Sequence, residues 1–191
     1  MAAAQRRVVM SAADMGRAMS RIAHEIIERN RGAASLVLVG IPRPGPVLAE
    51  RLADLIETIE GRQVPTGAVD PTMHRDDLDR RSIGPPVHPS HIPVDVTDRT
   101  VVLVDDVLYT GRTLRAALDA LNDFGRPRTI QFAAIVDRGH RELPVRADFV
   151  GKNLPTADDE RVTVRLQELD GEDAVHIERV VSPAQEATPA T

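Results

Sequence analysis

Apolar and polar positions follow two rhythms along this chain, and the changes of rhythm mark its elements. Met15, Met19, Ile22 and Ile26 recur at helical spacing and line one face of a first helix. Ser11 with Asp14 three residues later predicts its N-cap, and Gly32 its end. Leu36-Val37-Leu38-Val39 is then apolar without alternation, as a strand buried on both faces is. The pattern repeats: Leu48, Leu52, Leu55 and Ile59 share a helical face, Val101-Val102-Leu103-Val104 is a second buried strand, and Leu114, Ala117, Leu118 and Leu121 line a third helix that Gly125 and Pro127 end. Ile130 to Val136 gives a third strong strand, and Val162 to Leu166 and Val175-His176-Ile177 read as late strands. Buried strands alternating with amphipathic helices predict an α/β fold, a central mostly parallel sheet flanked by helices. Right-handed crossovers bring the strand ends to one edge of that sheet.

Two stretches carry neither rhythm. Residues 70–99 are proline-rich and charged, with Arg75-Asp76-Asp77-Leu78-Asp79-Arg80-Arg81 at their centre. The segment reads as a flexible active-site flap or as a disordered insertion. Residues 182–191 hold too little apolar surface to order themselves and read as a tail, leaving residues 1–181 as one domain. At 191 residues with 42% hydrophobic content, one substantial core is expected. The absence of cysteine excludes disulfides and thiolate zinc sites and favours an intracellular, cytoplasmic location. No apolar run approaches the roughly 18 residues needed to span a bilayer, so no membrane partner is expected. A net charge of −5 argues against general attraction to nucleic acid and leaves room only for a local basic patch.

The strand at Val101 leads directly into chemistry. Asp105 and Asp106 stand at its carboxyl end, where parallel sheets place ligands. Val107, Leu108 and Tyr109 follow, and then Thr110, Gly111, Arg112 and Thr113 supply hydroxyls and N–H groups at a helix N-terminus suited to an anion. The arrangement reads as a site for a phosphorylated sugar. An ordinary turn after a strand, or the Mg²⁺ site of a phosphoryl-transfer or receiver-type domain, are the alternatives. A P-loop is excluded, since no G-x-x-x-x-G-K-[ST] run exists and Lys152 is the only lysine. Gly40-Ile41-Pro42-Arg43-Pro44-Gly45 follows the first buried strand, and reads either as a loop whose Arg43 fork grips pyrophosphate or as a rigid turn with an exposed arginine. Asp137-Arg138-Gly139-His140 ends the third. The polar face of the first helix carries Arg17, Arg21, His24 and Glu28 with Arg29 and Arg31 nearby, which reads as either a solvated face or a contact surface.

Val101 to Thr113 resembles the motif for phosphoribosyl pyrophosphate (PRPP) in type I phosphoribosyltransferases. Together with Ser20 to Glu25, Val39-Gly40-Ile41, Arg75-Asp76-Asp77-Leu78, and Asp137 to Pro144 through Gly151-Lys152-Asn153, the chain from about Val8 to Ile177 is similar to the PyrR-type family of bifunctional pyrimidine regulators and uracil phosphoribosyltransferases. The resemblance implies the type I phosphoribosyltransferase fold and conversion of uracil and PRPP to UMP and pyrophosphate. It also implies Mg²⁺ carried by the substrate, within reach of Asp105 and Asp106 and without a dedicated cage. A pyr messenger leader as RNA partner, UMP or UTP as effector and a homo-oligomer follow in the same way. On matching positions, Asp105 and Asp106 contact ribose, Leu108 to Thr113 hold the 5′-phosphate, and Ile41, Pro42 and Arg43 belong to the pyrophosphate loop. Asp137 and Arg138 border the base, Arg75, Asp76 and Asp77 belong to the flap, and Arg17, Arg21, His24, Arg29, Arg141, Arg146 and Lys152 bind RNA. An RNA-binding nucleotide sensor with vestigial catalysis, or a purine-base phosphoribosyltransferase, are the alternatives. The chain departs from the family at Asp70-Pro71-Thr72-Met73-His74, where Asp-Ile-Thr-Leu-Tyr is usual, and at Pro42 and Pro44, which remove backbone donors from the pyrophosphate loop.

Overall fold

The computed structural model describes residues 6–76 and 87–179. Its elements run β1 (Arg7–Met10), α1 (Ala12–Asn30), β2 (Leu36–Gly40), α2 (Gly45–Glu60), β3 (Thr66–Ala68), β4 (Thr100–Leu108), α3 (Arg112–Leu121), β5 (Thr129–Asp137), β6 (Phe149–Asn153), β7 (Glu160–Arg165), α4 (Gln167–Asp170) and β8 (Ala174–Arg179). Five strands form a parallel sheet in the order β3-β2-β4-β5-β6, and β1-β8-β7 form a separate antiparallel sheet.

The apolar runs occupy the middle of the parallel sheet, as their lack of alternation requires. All of β2 is buried and pairs Leu36 with Thr100 through Gly40 with Val104. Side chains then divide by parity. Leu36, Leu38, Val102 and Val104 face α1 and α2, while Val37, Val39, Val101 and Leu103 face α3. The start of α1 is the expected capping box, Ser11 accepting from Asp14 N and Asp14 accepting from Ser11 N, and Arg31 ends it in the left-handed region. In α2 the buried stripe is Leu48, Leu52 and Ile56, and Ile59 is left 40% exposed where the sequence pattern put it on the apolar face.

The antiparallel sheet was only half legible: β7 and β8 match the late apolar segments, but β1 offers just four residues and half its positions face water. Its inward residues Met10, Val162, Val164, Val175 and Ile177 join the same core as α1 and α2.

Strand order fixes where a ligand can enter. From β2 the chain moves outward to β3, then returns to β4 and proceeds the other way through β5 and β6. The carboxyl ends of β2 and β4 therefore flank the switch point of the sheet, where adjacent loops diverge and leave a crevice. Glycine permits close packing here: a Cβ on Gly45 would lie 2.5 Å from Val104 O, and one on Gly40 would collide with Pro46 N. Residues 70–76 carry a 3₁₀ turn at Thr72–His74, and His91 returns to bridge Ala68, so part of the long polar segment is ordered. The remainder of the flap centre, Asp77 included, and residues 182–191 lie outside the described residues.

Candidate active site

Asp105 and Asp106 occupy the carboxyl end of β4. The ladder with β5 pairs Asp105 with Ala134 and resumes at Val107 with Val136. Each carboxylate accepts from the next backbone N–H, Asp105 Oδ1 from Asp106 at 2.9 Å and Asp106 Oδ1 from Val107 at 2.8 Å. Asp105 is buried, and that burial, with the charge of Asp106 beside it, holds its carboxyl well above the ordinary range. Burial raises Asp106 too, against the hydrogen bonds it accepts. Two acids this close to each other favour a state with one proton between them at intermediate pH. A pair of that kind donates to one hydroxyl and accepts from another, which suits a vicinal diol.

Beyond them the chain turns through Tyr109 and Thr110 to Gly111, whose φ of 91° caps α3. Val145 Cγ2 fills the space a side chain on Gly111 would need. Among the described residues the N–H groups of Gly111, Thr113 and Leu114 find no backbone acceptor, and they open with the hydroxyls of Thr110 and Thr113 at a helix N-terminus. An anion cradle results. Arg75 reaches it from the flap, donating to Thr113 Oγ1 at 2.9 Å, with its charge favouring ionised Asp105. Asp76 pairs with Arg112 at 2.7 Å and Arg115 at 3.3 Å, which fastens the flap to α3.

On the β2 side, Ile41 N donates to Val104 O at 2.8 Å and Gly45 N to Ile41 O at 3.0 Å. Pro42 and Pro44 bracket an exposed Arg43, and the peptide bonds on both sides of Arg43 are cis. On the β5 side, a cavity of about 430 Å³ is lined by Asp137, Arg138, Gly139, His140, Asn153 and Thr156 together with Pro155. Arg138 is buried, stacks on Tyr109 at 4.1 Å and donates to Thr156 Oγ1 at 3.0 Å. Thr156 was not foreseen. It sits in irregular chain after β6, with no periodic signal to mark it. A groove of similar size along α2 is lined by Glu50, Asp54 and Glu57, far from the cradle's donors and with no cation to meet a phosphate.

The phosphoribosyl transferase domain family matches residues 11–168. "Bifunctional protein PyrR" from Roseiflexus sp. is 61% identical over 85% of this chain and 89% of its own length. The protein of that name from Deinococcus radiodurans is 56% identical over 91% of this chain and 95% of its own.

The chain belongs to the PyrR family.

Solved structures agree on the fold: hypoxanthine phosphoribosyltransferase of Trypanosoma cruzi superposes with a TM-score of 0.68 at 16% identity, covering 91% of this chain and 96% of that one. A hypoxanthine-guanine phosphoribosyltransferase from Bacillus anthracis gives 0.67 at 19%, covering 91% and 97%. The type I phosphoribosyltransferase fold that the resemblance implied is the fold of this PyrR-family chain.

The basic residues singled out in this PyrR-family member fall into separate environments. Arg17, Arg21 and Lys152 line one groove between α1 and β6, with Asp14 beside them. Arg21 donates to Val150 O and Gly151 O, Lys152 to Val9 O, and Arg17 pairs with Asp14. His24 hydrogen-bonds Ser20 O at 2.7 Å, and Arg29 pairs with Asp148 at 2.9 Å over the Phe149 ring. Arg146 is exposed and has no hydrogen bond or ion pair among the described residues. Arg141 turns inward, pairing with Asp137 and donating to Tyr109 O and Val145 O. No described helix is long and apolar enough to cross a membrane.

Proposed function

We propose that this protein converts uracil and PRPP to UMP and pyrophosphate and binds a pyr messenger leader in response to pyrimidine nucleotide. One observation carries the enzymatic half: a carboxyl pair, Asp105 buried and Asp106 half-buried, and an open anion cradle share one rim of the sheet, with a cavity at the end of the neighbouring strand β5. The 5′-phosphate takes the N–H groups and hydroxyls of Thr110 to Thr113. Asp105 and Asp106 hold the ribose hydroxyls, and their negative charge offsets the positive charge that develops on the ribose as its anomeric bond to pyrophosphate breaks. Asp137 and Arg138 border the base, and Arg43 with the Ile41–Pro44 backbone faces the departing pyrophosphate. Residues 70–99 act as the flap that keeps water from the reacting sugar, with Arg75 and Asp76 as its inner contacts.

The oxygen donors of Asp105 and Asp106 suit Mg²⁺, a hard ion that takes few protein ligands and keeps water and substrate oxygens. No described cluster of three or more ligating side chains competes for that role. When bound with PRPP, the ion neutralises pyrophosphate charge. UMP or UTP serves as effector, the active form is a homo-oligomer, and residues 1–181 work as one domain.

UMP formation from uracil and PRPP is the decisive assay, with Asp105→Asn/Asp106→Asn as reference. The double variant loses about 10²–10³-fold in kcat, the scale seen when transition-state charge stabilisation is removed. A wild type no faster than the variant would leave a nucleotide sensor without turnover. Hypoxanthine outcompeting uracil would reassign the base.

A further inference from the structure

The segment from Arg141 to Arg146 runs directly behind the anion cradle. Glu142 N and Leu143 N both donate to Thr110 O, at 3.0 and 3.2 Å. Thr110 C=O and Gly111 N–H belong to one peptide plane and point in opposite directions. An anion on the N–H side therefore polarises the same unit whose carbonyl holds the segment, and linked hydrogen bonds strengthen one another. A second link is Arg112, whose Nε pairs with Glu142 Oε2 at 2.6 Å. Val145 is a third, packed where Gly111 has no side chain. Arg141 anchors the near end through Tyr109 O, Gly139 O, Val145 O and Asp137. Arg146 follows Val145 and projects to solvent.

We infer that this strap transmits phosphate occupancy of the cradle to the RNA-binding surface, with Arg141 and Glu142 as the positioning residues that fix Arg146. The inference rests on the function proposed above and adds the route that links its two halves. The link is reciprocal: RNA tightens nucleotide binding by the factor that nucleotide tightens RNA binding. It also makes the phosphate, not the base or ribose, the signal. UMP and uridine separate those cases.

The test titrates a pyr leader hairpin against wild type, Glu142→Gln, Arg141→Lys and Arg146→Gln, each without nucleotide, with saturating UMP and with saturating uridine. UMP tightens wild-type binding roughly tenfold, within the usual range for coupled sites, and uridine has no effect. Glu142→Gln brings the UMP effect close to unity while its unliganded RNA affinity stays near that of wild type. Arg141→Lys also loses the UMP effect, because lysine keeps the charge but not the planar fork. Arg146→Gln weakens binding by one factor in all three conditions, so the UMP effect survives. A purely structural role for Glu142 would shift every condition alike. Uridine acting as well as UMP, or Glu142→Gln retaining the full UMP effect, overturns the inference while leaving the proposed function standing. Absence of any calorimetric heat with UMP in wild type overturns both.

Discussion

A single carboxyl carries much of the site's electrostatic character. Asp105 has its pKa raised by burial and by Asp106, so the folded state binds its proton more tightly than the unfolded chain does. The stability this contributes is complete below the ordinary value of 3.8 and is lost as pH rises through the raised value. Asp105→Asn is neutral throughout, and its amide oxygen still accepts from Asp106 N. We expect the variant to match wild type in melting temperature near pH 4 and to melt higher at neutral pH; equal melting curves across the range would contradict the assignment. Activity takes the opposite sense, since offsetting positive charge needs the ionised form, and it falls as pH drops through that raised value. The acids were legible because Asp105 and Asp106 close an unbroken apolar run. Thr156 was not, nor was the inward turn of Arg141, because a guanidinium reads as surface charge until the carbonyls of Leu108, Tyr109, Gly139 and Val145 are seen converging on it.

Polar ties add to the apolar contacts that hold the elements together. Arg51 on α2 grips Glu168 on α4 with two bonds, 2.8 and 2.5 Å, and Asp173 ahead of β8 at 2.8 Å. The bidentate geometry and a side chain only 22% exposed raise this above an ordinary surface pair. Arg51→Ala is expected to cost about 1–3 kcal/mol and to speed amide exchange in β7 and β8 while β4 and β5 stay protected. Unchanged exchange in β7 and β8 would show that their apolar faces suffice. Sequence pattern found α1, α2, α3, β2, β4 and β5, all long enough to show their period. It missed β1, β3 and β6 because four, three and five residues at sheet edges display neither alternation nor a continuous apolar run.

At the scale of the molecule the two sheets share one interior, since Met10, Val164, Val175 and Ile177 pack into the same cluster as Ile22, Leu48 and Leu52. That continuity predicts a single cooperative transition in urea, with far-UV circular dichroism and amide exchange of β4 and β8 reporting the same midpoint. Separate midpoints would divide residues 1–181 into independent units. The parallel sheet and the crevice at its edge were foreseeable from alternating elements; its full strand order was not, because β3 and β6 carry no clear period, and neither was the antiparallel cover, because its pairing of β1 with β8 joins segments far apart in sequence. The protein has no tryptophan and one tyrosine, and that tyrosine is Tyr109, lying against Arg138 and edge-on to His140, both of which line the cavity at the end of β5. Its tyrosine emission therefore originates at this one place, and unlabelled protein in a cuvette becomes its own dye for whatever enters there.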